Sequence, residues 1–379
     1  MNIFKKFRGF RLSQIGLIAV LLCICTWADA KGPFDDFPDF ISFTEDLAVD
    51  KTGDVAVDKK GNVYVNVTVD GSVNVWKFSP DGEQLFSTYI CEGSGYGLTL
   101  GNNGDIYVSV TGEEGGVYRL DHRGNVVLLP GSDQIVLPNA LAFDQRGNLY
   151  VTESFSGVPG DYGQGGIWRI PHRGEAELML RDDLLTGTGA AGLGYPMGAN
   201  GIACYHGDLY VANFEKGLIL QLPIKRNGDL GQPEIWKELE VVPESLPALS
   251  GYPVMGDGIA IDEFGNIYVA VLTKCAVVRI NAKNLSQETV AAFGFDNTDP
   301  LYAPLDFPNS VALGPGNGWR KNLLVGNFAM LPPEIAPGRG LVKIELDAPG
   351  RPCHKVFQGR CLIHPRKLGK WFHMCFSRK

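Results

Sequence analysis

Asn139, Asn200, Asp257 and Asn309 stand at one position in successive copies of an internal repeat, each directly ahead of a short apolar strand. In two further copies the same position holds Tyr96 and Gly53. Carboxylate and amide oxygens presented together suit a hard cation such as Ca²⁺, which takes six to eight oxygen ligands; Zn²⁺, Mn²⁺ and Mg²⁺ are the other divalent candidates. Taken singly, Asn or Asp ahead of a strand often does no more than close a turn onto the backbone. Recurrence of an oxygen-bearing side chain at four of six equivalent places favours a site. A second polar column lies three residues after each repeat tyrosine, with Glu153, Asn213 and Asn327 in three copies and Val67, Val110 and Val271 in the others. Glu153, Asn213, Asn309, Asn327 and Tyr96 are therefore expected to contact a substrate or support the residues that do. The plainer reading of the second column is that strand ends are wet.

Such columns converge only if the copies surround an axis. The motif Gly-Asn/Asp-aliphatic-Tyr-Val recurs with its tyrosines at 64, 107, 150, 210 and 268, and Asn322-Leu323-Leu324-Val325 is a degraded sixth copy. Each copy follows an apolar run and a tight turn, such as Asp144-Gln145-Arg146-Gly147, which reads as a β-hairpin. A third strand and usually a fourth come after it. One four-stranded meander cannot bury both faces, so the units stack radially. The chain is expected to be all-β, a six-bladed β-propeller of four-stranded antiparallel blades over residues 31–352. The segment around Ile41-Ser42-Phe43-Thr44 is expected to supply the outer strand of the last blade. Longer connections at residues 154–165, 181–199, 241–256 and 329–338 rise on the side of the polar columns, where they would form a rim or lid.

Phe143-Asp144 with Gly147-Asn148-Leu149-Tyr150-Val151, Gly198-Ala199-Asn200-Gly201-Ile202-Ala203, Tyr210-Val211-Ala212-Asn213, and Asp257-Gly258-Ile259-Ala260-Ile261-Asp262 resemble the senescence-marker-protein, gluconolactonase and luciferin-regenerating-enzyme family of six-bladed propellers. The resemblance spans about residues 45–350. It implies a divalent metal, usually calcium, held by one Glu, two Asn and one Asp, and hydrolysis of lactones or related esters. By position it makes Asn139, Asn200 and Asp257 metal ligands and Asp257 also the catalytic base. The family's Glu is replaced by Gly53, followed by Asp54, which becomes the alternative first ligand; a carboxylate moved by one residue on a strand end points to the other face unless the turn adjusts. With the metal in place, its charge would polarise a lactone carbonyl while Asp257 or bound water supplies the nucleophile. Two other readings stay open: a binding propeller without chemistry, which Gly53 favours, and a strictosidine-synthase-like propeller, whose channel Glu could only be Glu153.

Composition narrows the function classes. The 379 residues carry 48 Gly and 23 Pro, 45% hydrophobic and 20% charged residues, and a net charge of −8. That excludes disordered, coiled-coil and collagen-like chains, and the acidic balance argues against a nucleic-acid partner. A small-molecule substrate and a monomer are expected. Residues 1–30 read as a signal peptide, with Lys5, Lys6, Arg8 and Arg11, an apolar run from Ile15 to Trp27, and Ala28-Asp29-Ala30. A secreted protein, extracellular or periplasmic and without a membrane span once mature, is the expectation. Residues 353–379 form a basic tail with Cys and His, read as disordered. Asn66 and Asn284 begin glycosylation sequons. His122, His172 and His206 fall in turns away from the polar columns, so no Ser-His-Asp or Cys-His arrangement can be drawn there.

Overall fold

The computed structural model describes residues 40–42, 49–240, 252–293, 303–315, 319, 321–330 and 340–346. The segments expected to be a signal peptide (1–30) and a basic tail (353–379) and the connections 241–251 and 331–339 lie outside them. Six four-stranded antiparallel sheets form a ring, confirming the six-bladed propeller. The inner strands are Val49–Val57, Ser94–Leu100, Pro138–Phe143, Ala199–Tyr205, Gly256–Ile261 and Pro308–Leu313. Each packs beside the next, and the sixth closes on the first. The N-terminal strand Phe40–Ser42 pairs antiparallel with Gly340–Glu345 on the outside of blade 6, with Ile41 opposite Leu341, so the chain's two ends together close the ring. No helix among the described residues is long and apolar enough to cross a membrane.

The repeat motif is a turn device joined to a packing device. In blade 3 the Asp144 carboxylate accepts hydrogen bonds from Arg146 N (2.8 Å), Asn148 N (2.9 Å) and Asn148 Nδ2 (2.8 Å). Gly147 takes φ +85° between them, a conformation natural to glycine. The same geometry recurs at Asp58 to Asn62 and Asp262 to Asn266. Beyond the turn, alternation on the second strand sorts side chains to opposite faces. Tyr268 and Ala270 pack toward blade 6, while Ile267, Val269 and Val271 pack toward blade 4. One apolar cluster therefore fills each of the six gaps between blades. Cys91, Cys204 and Cys275 are buried, in three different gaps. Asn66 is fully buried, with its amide given to Tyr96 O and Gly97 O, so its sequon is closed to a glycan; Asn284 is exposed.

Every inner strand carries a β-bulge near its start, between Thr52 and Val55, Gly95 and Leu98, Pro138 and Leu141, Ala199 and Ile202, Gly256 and Ile259, and Pro308 and Ser310. The first polar column is the set of residues inside these bulges. A bulge leaves a residue outside the ladder and re-aims its side chain, which is how residues on a strand come to face the channel mouth.

Two glycines separate the turn from the ring in a testable way. A Cβ on Gly147 would touch nothing within 4 Å, whereas one on Gly201 would lie 2.3 Å from Asp257 O and 2.8 Å from Ile259 N. Gly147→Ala should cost about 1 kcal/mol, from backbone conformation alone. Gly201→Ala should cost about 3 kcal/mol because two backbones must part. Urea unfolding of both variants checks the order.

Candidate site at the channel mouth

The bulges bring together part of the first column and a lysine outside it. The Asp257 carboxylate, only partly accessible, accepts a hydrogen bond from Asn200 and feels the charges of Asp54 and Lys51. Asp54 accepts from Ser310 of blade 6 and from the Leu98 backbone N–H of blade 2. Lys51 Nζ lies 2.8 Å from the centroid of the Tyr96 ring and 3.5 Å from Ser94 Oγ. Its place against the ring face is a cation–π contact. Burial pushes the Asp257 carboxyl well above the usual carboxylate range, with Asp54 adding to the rise. Burial likewise raises Asp54 to about 7, against the opposing pull of Ser310, Leu98 and Lys51. Lys51 is drawn down to about 7 by burial, although Asp257 and Asp54 oppose this. Two carboxyls and one amine that share a half-buried mouth titrate as a coupled set, in which the carboxyls oppose each other's ionisation and the amine favours it.

Asn139 occupies the matching bulge of blade 3. Its Nδ2 donates to Ser154 Oγ (3.0 Å), and Ser154 Oγ donates to Ala199 O (2.7 Å), tying blade 3 to blade 4. Above these residues Leu137, Phe155, Met197, Phe214 and Met255 form a separate apolar cluster against Tyr96, Tyr162 and Tyr195. Phe155 meets Tyr162 edge-on at 4.9 Å, and the hydroxyls of Tyr96 and Tyr195 are hydrogen-bonded. Two long connections, 154–165 and 181–199, supply Phe155, Tyr162, Tyr195 and Met197 to this roof, while Leu137, Phe214 and Met255 flank the neighbouring strands; the first connection folds into a small hairpin, Ser156–Val158 with Asp161–Gly163. Buried Glu215 fixes the second by accepting from the backbone N–H groups of Thr188, Gly189 and Ala191. Below the bulges an axial cavity of about 150 Å³ runs between the inner strands; Asp54 is its one charged lining residue among those described.

The second column does not face this mouth. It shares a strand face with the aliphatics that pack toward the preceding blade, and there it clamps the connection entering its own blade. Glu153 is fully buried and accepts from Val136 N (2.8 Å) and Trp168 Nε1 (2.8 Å), with Arg181 2.7 Å away. Asn213 Nδ2 donates to Leu184 O (2.7 Å) and Thr186 O (3.0 Å). Asn327 Nδ2 donates to Pro304 O (2.8 Å), while its Oδ1 accepts from Asp306 N (3.2 Å). Asn309, although in the first column, spends its amide on Thr52 O (2.9 Å) and so joins blade 6 to blade 1.

Whether these residues fit a resident divalent ion turns on Gly53 and Lys51. A Cβ at Gly53 would fall 1.7 Å from Asn66 Oδ1 and 2.5 Å from Tyr96 O, so no acidic side chain fits there on this backbone. Asp54 does reach the mouth, but the charge of Lys51 acts there on both Asp54 and Asp257. The positive charge that two carboxylates call for is already supplied by the chain, and the residues present do not fit the family's metal.

No family model matches the sequence, and no match to a curated protein is found. The fold, however, is shared with solved structures. A luciferin-regenerating enzyme matches with a TM-score of 0.57 at 16% identity, over 82% of this chain and 96% of its own. A protein assigned as a gluconolactonase matches with a TM-score of 0.54 at 14% identity, over 80% and 91%. A calcium-binding protein, regucalcin, from Agrobacterium tumefaciens matches with a TM-score of 0.56 at 14% identity, over 83% and 96%. The chain shares the six-bladed propeller of all three.

Asp54 gives a prediction with a definite sign. Its carboxyl titrates near 7 when folded and near 3.8 when unfolded. The folded state therefore binds the proton more tightly, and stability falls as pH rises between those values. Asp54→Asn removes that slope. Relative to wild type the variant should gain on the order of 3 kcal/mol from pH 4.5 to pH 7.5, read by chemical unfolding at each pH.

Proposed function

We propose that the chain is a hydrolase acting on a lactone or related small ester at the channel mouth. The observation that carries this reading is the convergence of Asp257, Asp54 and Lys51 beneath an apolar roof. Two carboxyls sharing one proton can act as base and acid in one cycle. The ionised carboxylate, assigned to Asp257, takes a proton from water as its oxygen attacks the carbonyl carbon. The Lys51 ammonium offsets the negative charge that builds on the carbonyl oxygen. When the tetrahedral intermediate collapses, the C–O bond to the leaving alkoxide breaks, and the other carboxyl, Asp54, gives the alkoxide its proton. The products are the acid and the alcohol, joined in one molecule if the substrate is a lactone. Asn200 positions Asp257 through their hydrogen bond. The propeller shared with the protein assigned as a gluconolactonase supports the substrate class by analogy of fold. The leader-like residues 1–30 support export, and the acidic chain supports a small-molecule partner.

A binding propeller without chemistry remains the second reading, favoured by Gly53. The strictosidine-synthase-like reading loses its channel Glu, because Glu153 is held by Val136, Trp168 and Arg181.

A panel of aliphatic lactones and acetate esters, followed with a pH indicator, tests the proposal. Wild type should turn over at least one lactone with a bell-shaped pH profile centred near neutrality. Asp257→Asn should lower kcat by at least about 100-fold while still melting cooperatively. Equal rates in the two proteins would remove the central residue, and binding of a lactone without turnover by wild type would favour the second reading.

A further inference from the structure

Lys51 stands three residues before Asp54 on the only inner strand that is nine residues long. A second irregularity, between Val49 and Lys51, breaks the register of that strand ahead of the common bulge. The residues at the same distance ahead of the column in the other blades are Ser94, Leu137, Gly198, Met255 and Phe307, all uncharged. A cation has thus been placed at one point of the ring, over the face of Tyr96, itself a member of the first column, where its charge acts on Asp54 and Asp257. An ammonium in this position is doubly useful. It offsets the charge of carboxylates that are partly removed from water, and it repels any second cation drawn to them.

We propose that the Lys51 ammonium stands in for the divalent cation of this channel, so that the native chain keeps calcium out and removal of Lys51 alone converts the mouth into a calcium site. The oxygens for such a site are present: the carboxylates of Asp54 and Asp257, and the amide oxygens of Asn200 and Asn139, whose Nδ2 atoms are directed to Asp257 and to Ser154. Two carboxylates with amide oxygens are a calcium-type donor set once no ammonium lies among them. This inference goes beyond the hydrolase reading and does not need it, because calcium binding is measured without turnover.

The test is a calorimetric titration of the full chain with CaCl₂ after chelator stripping, for wild type, Lys51→Met, Lys51→Gln and Lys51→Met/Asp257→Asn. Wild type should show no saturable heat at millimolar calcium. Lys51→Met and Lys51→Gln should each bind one ion per chain at least about tenfold more tightly than wild type, and the double variant should lose that binding. If loss of the ammonium lowers the melting temperature, calcium should restore it in the single variants and not in the double variant. One-site binding by wild type matching that of Lys51→Met would overturn the proposal. So would silence from both single variants, with no thermal rescue, since Lys51 would then be replacing nothing.

Discussion

How closely the six inner strands approach one another governs everything at the channel mouth. The contacts are backbone to backbone. A Cβ on Gly97 would lie 2.2 Å from Asn139 O, one on Gly201 2.3 Å from Asp257 O, and one on Gly258 2.8 Å from Asn309 O. The residue following the column position is therefore glycine in three blades and Ala140 or Ser310 in two others, and that spacing lets the bulges of adjacent blades face one another. Blade 1 departs from the rule. There the glycine moves back to Gly53, Asn66 fills the space beside it, and Asp54 follows where the other blades have a small residue.

That one-residue exchange sets the electrostatics of the mouth. A carboxyl at 54 instead of 53 reaches Ser310 and the Leu98 N–H across the ring, and it comes within the field of Asp257. Two carboxyls at one half-buried mouth repel each other, and the charge of Lys51, held over Tyr96, opposes that repulsion. The apolar roof packs on Tyr96 beside the half-buried charged groups, and Glu215 holds the second connection through a buried carboxylate satisfied by backbone N–H groups. The shell around the mouth thus makes a small set of charges strongly interacting.

The fold was legible because its causes are local and repeated. The Asp-x-x-Gly-Asn turn and the alternation that follows it leave a mark at fixed spacing, and the need to complete blade 6 pointed to the strand at Ile41. The first polar column was legible for the same reason, and Asn139, Asn200 and Asp257 do lie in equivalent bulges. The second column was equally visible, but spacing could not show which strand face it occupied; Glu153, Asn213 and Asn327 clamp loops because they share a face with Val65 and Val269, toward the preceding blade. Lys51 left a weaker sign, a lone cation in a column otherwise filled by Ser94, Leu137, Gly198, Met255 and Phe307. Its partners at 54, 96 and 257 lie on three different blades, so only closure of the ring reveals them. Glu215 left none, since its donors belong to a loop with no repeat to compare.

Lys51 is a half-buried amine held over Tyr96 in the field of two carboxyls, and its own titration reports on that placement most directly. Reductive ¹³C-methylation of the lysines, followed by NMR from pH 5 to pH 11, resolves each amine separately. One signal, absent from Lys51→Met, should titrate near neutrality while the others titrate close to 10.5. If every lysine titrates close to 10.5, Lys51 lies in water, away from the mouth, and the cluster described above does not exist.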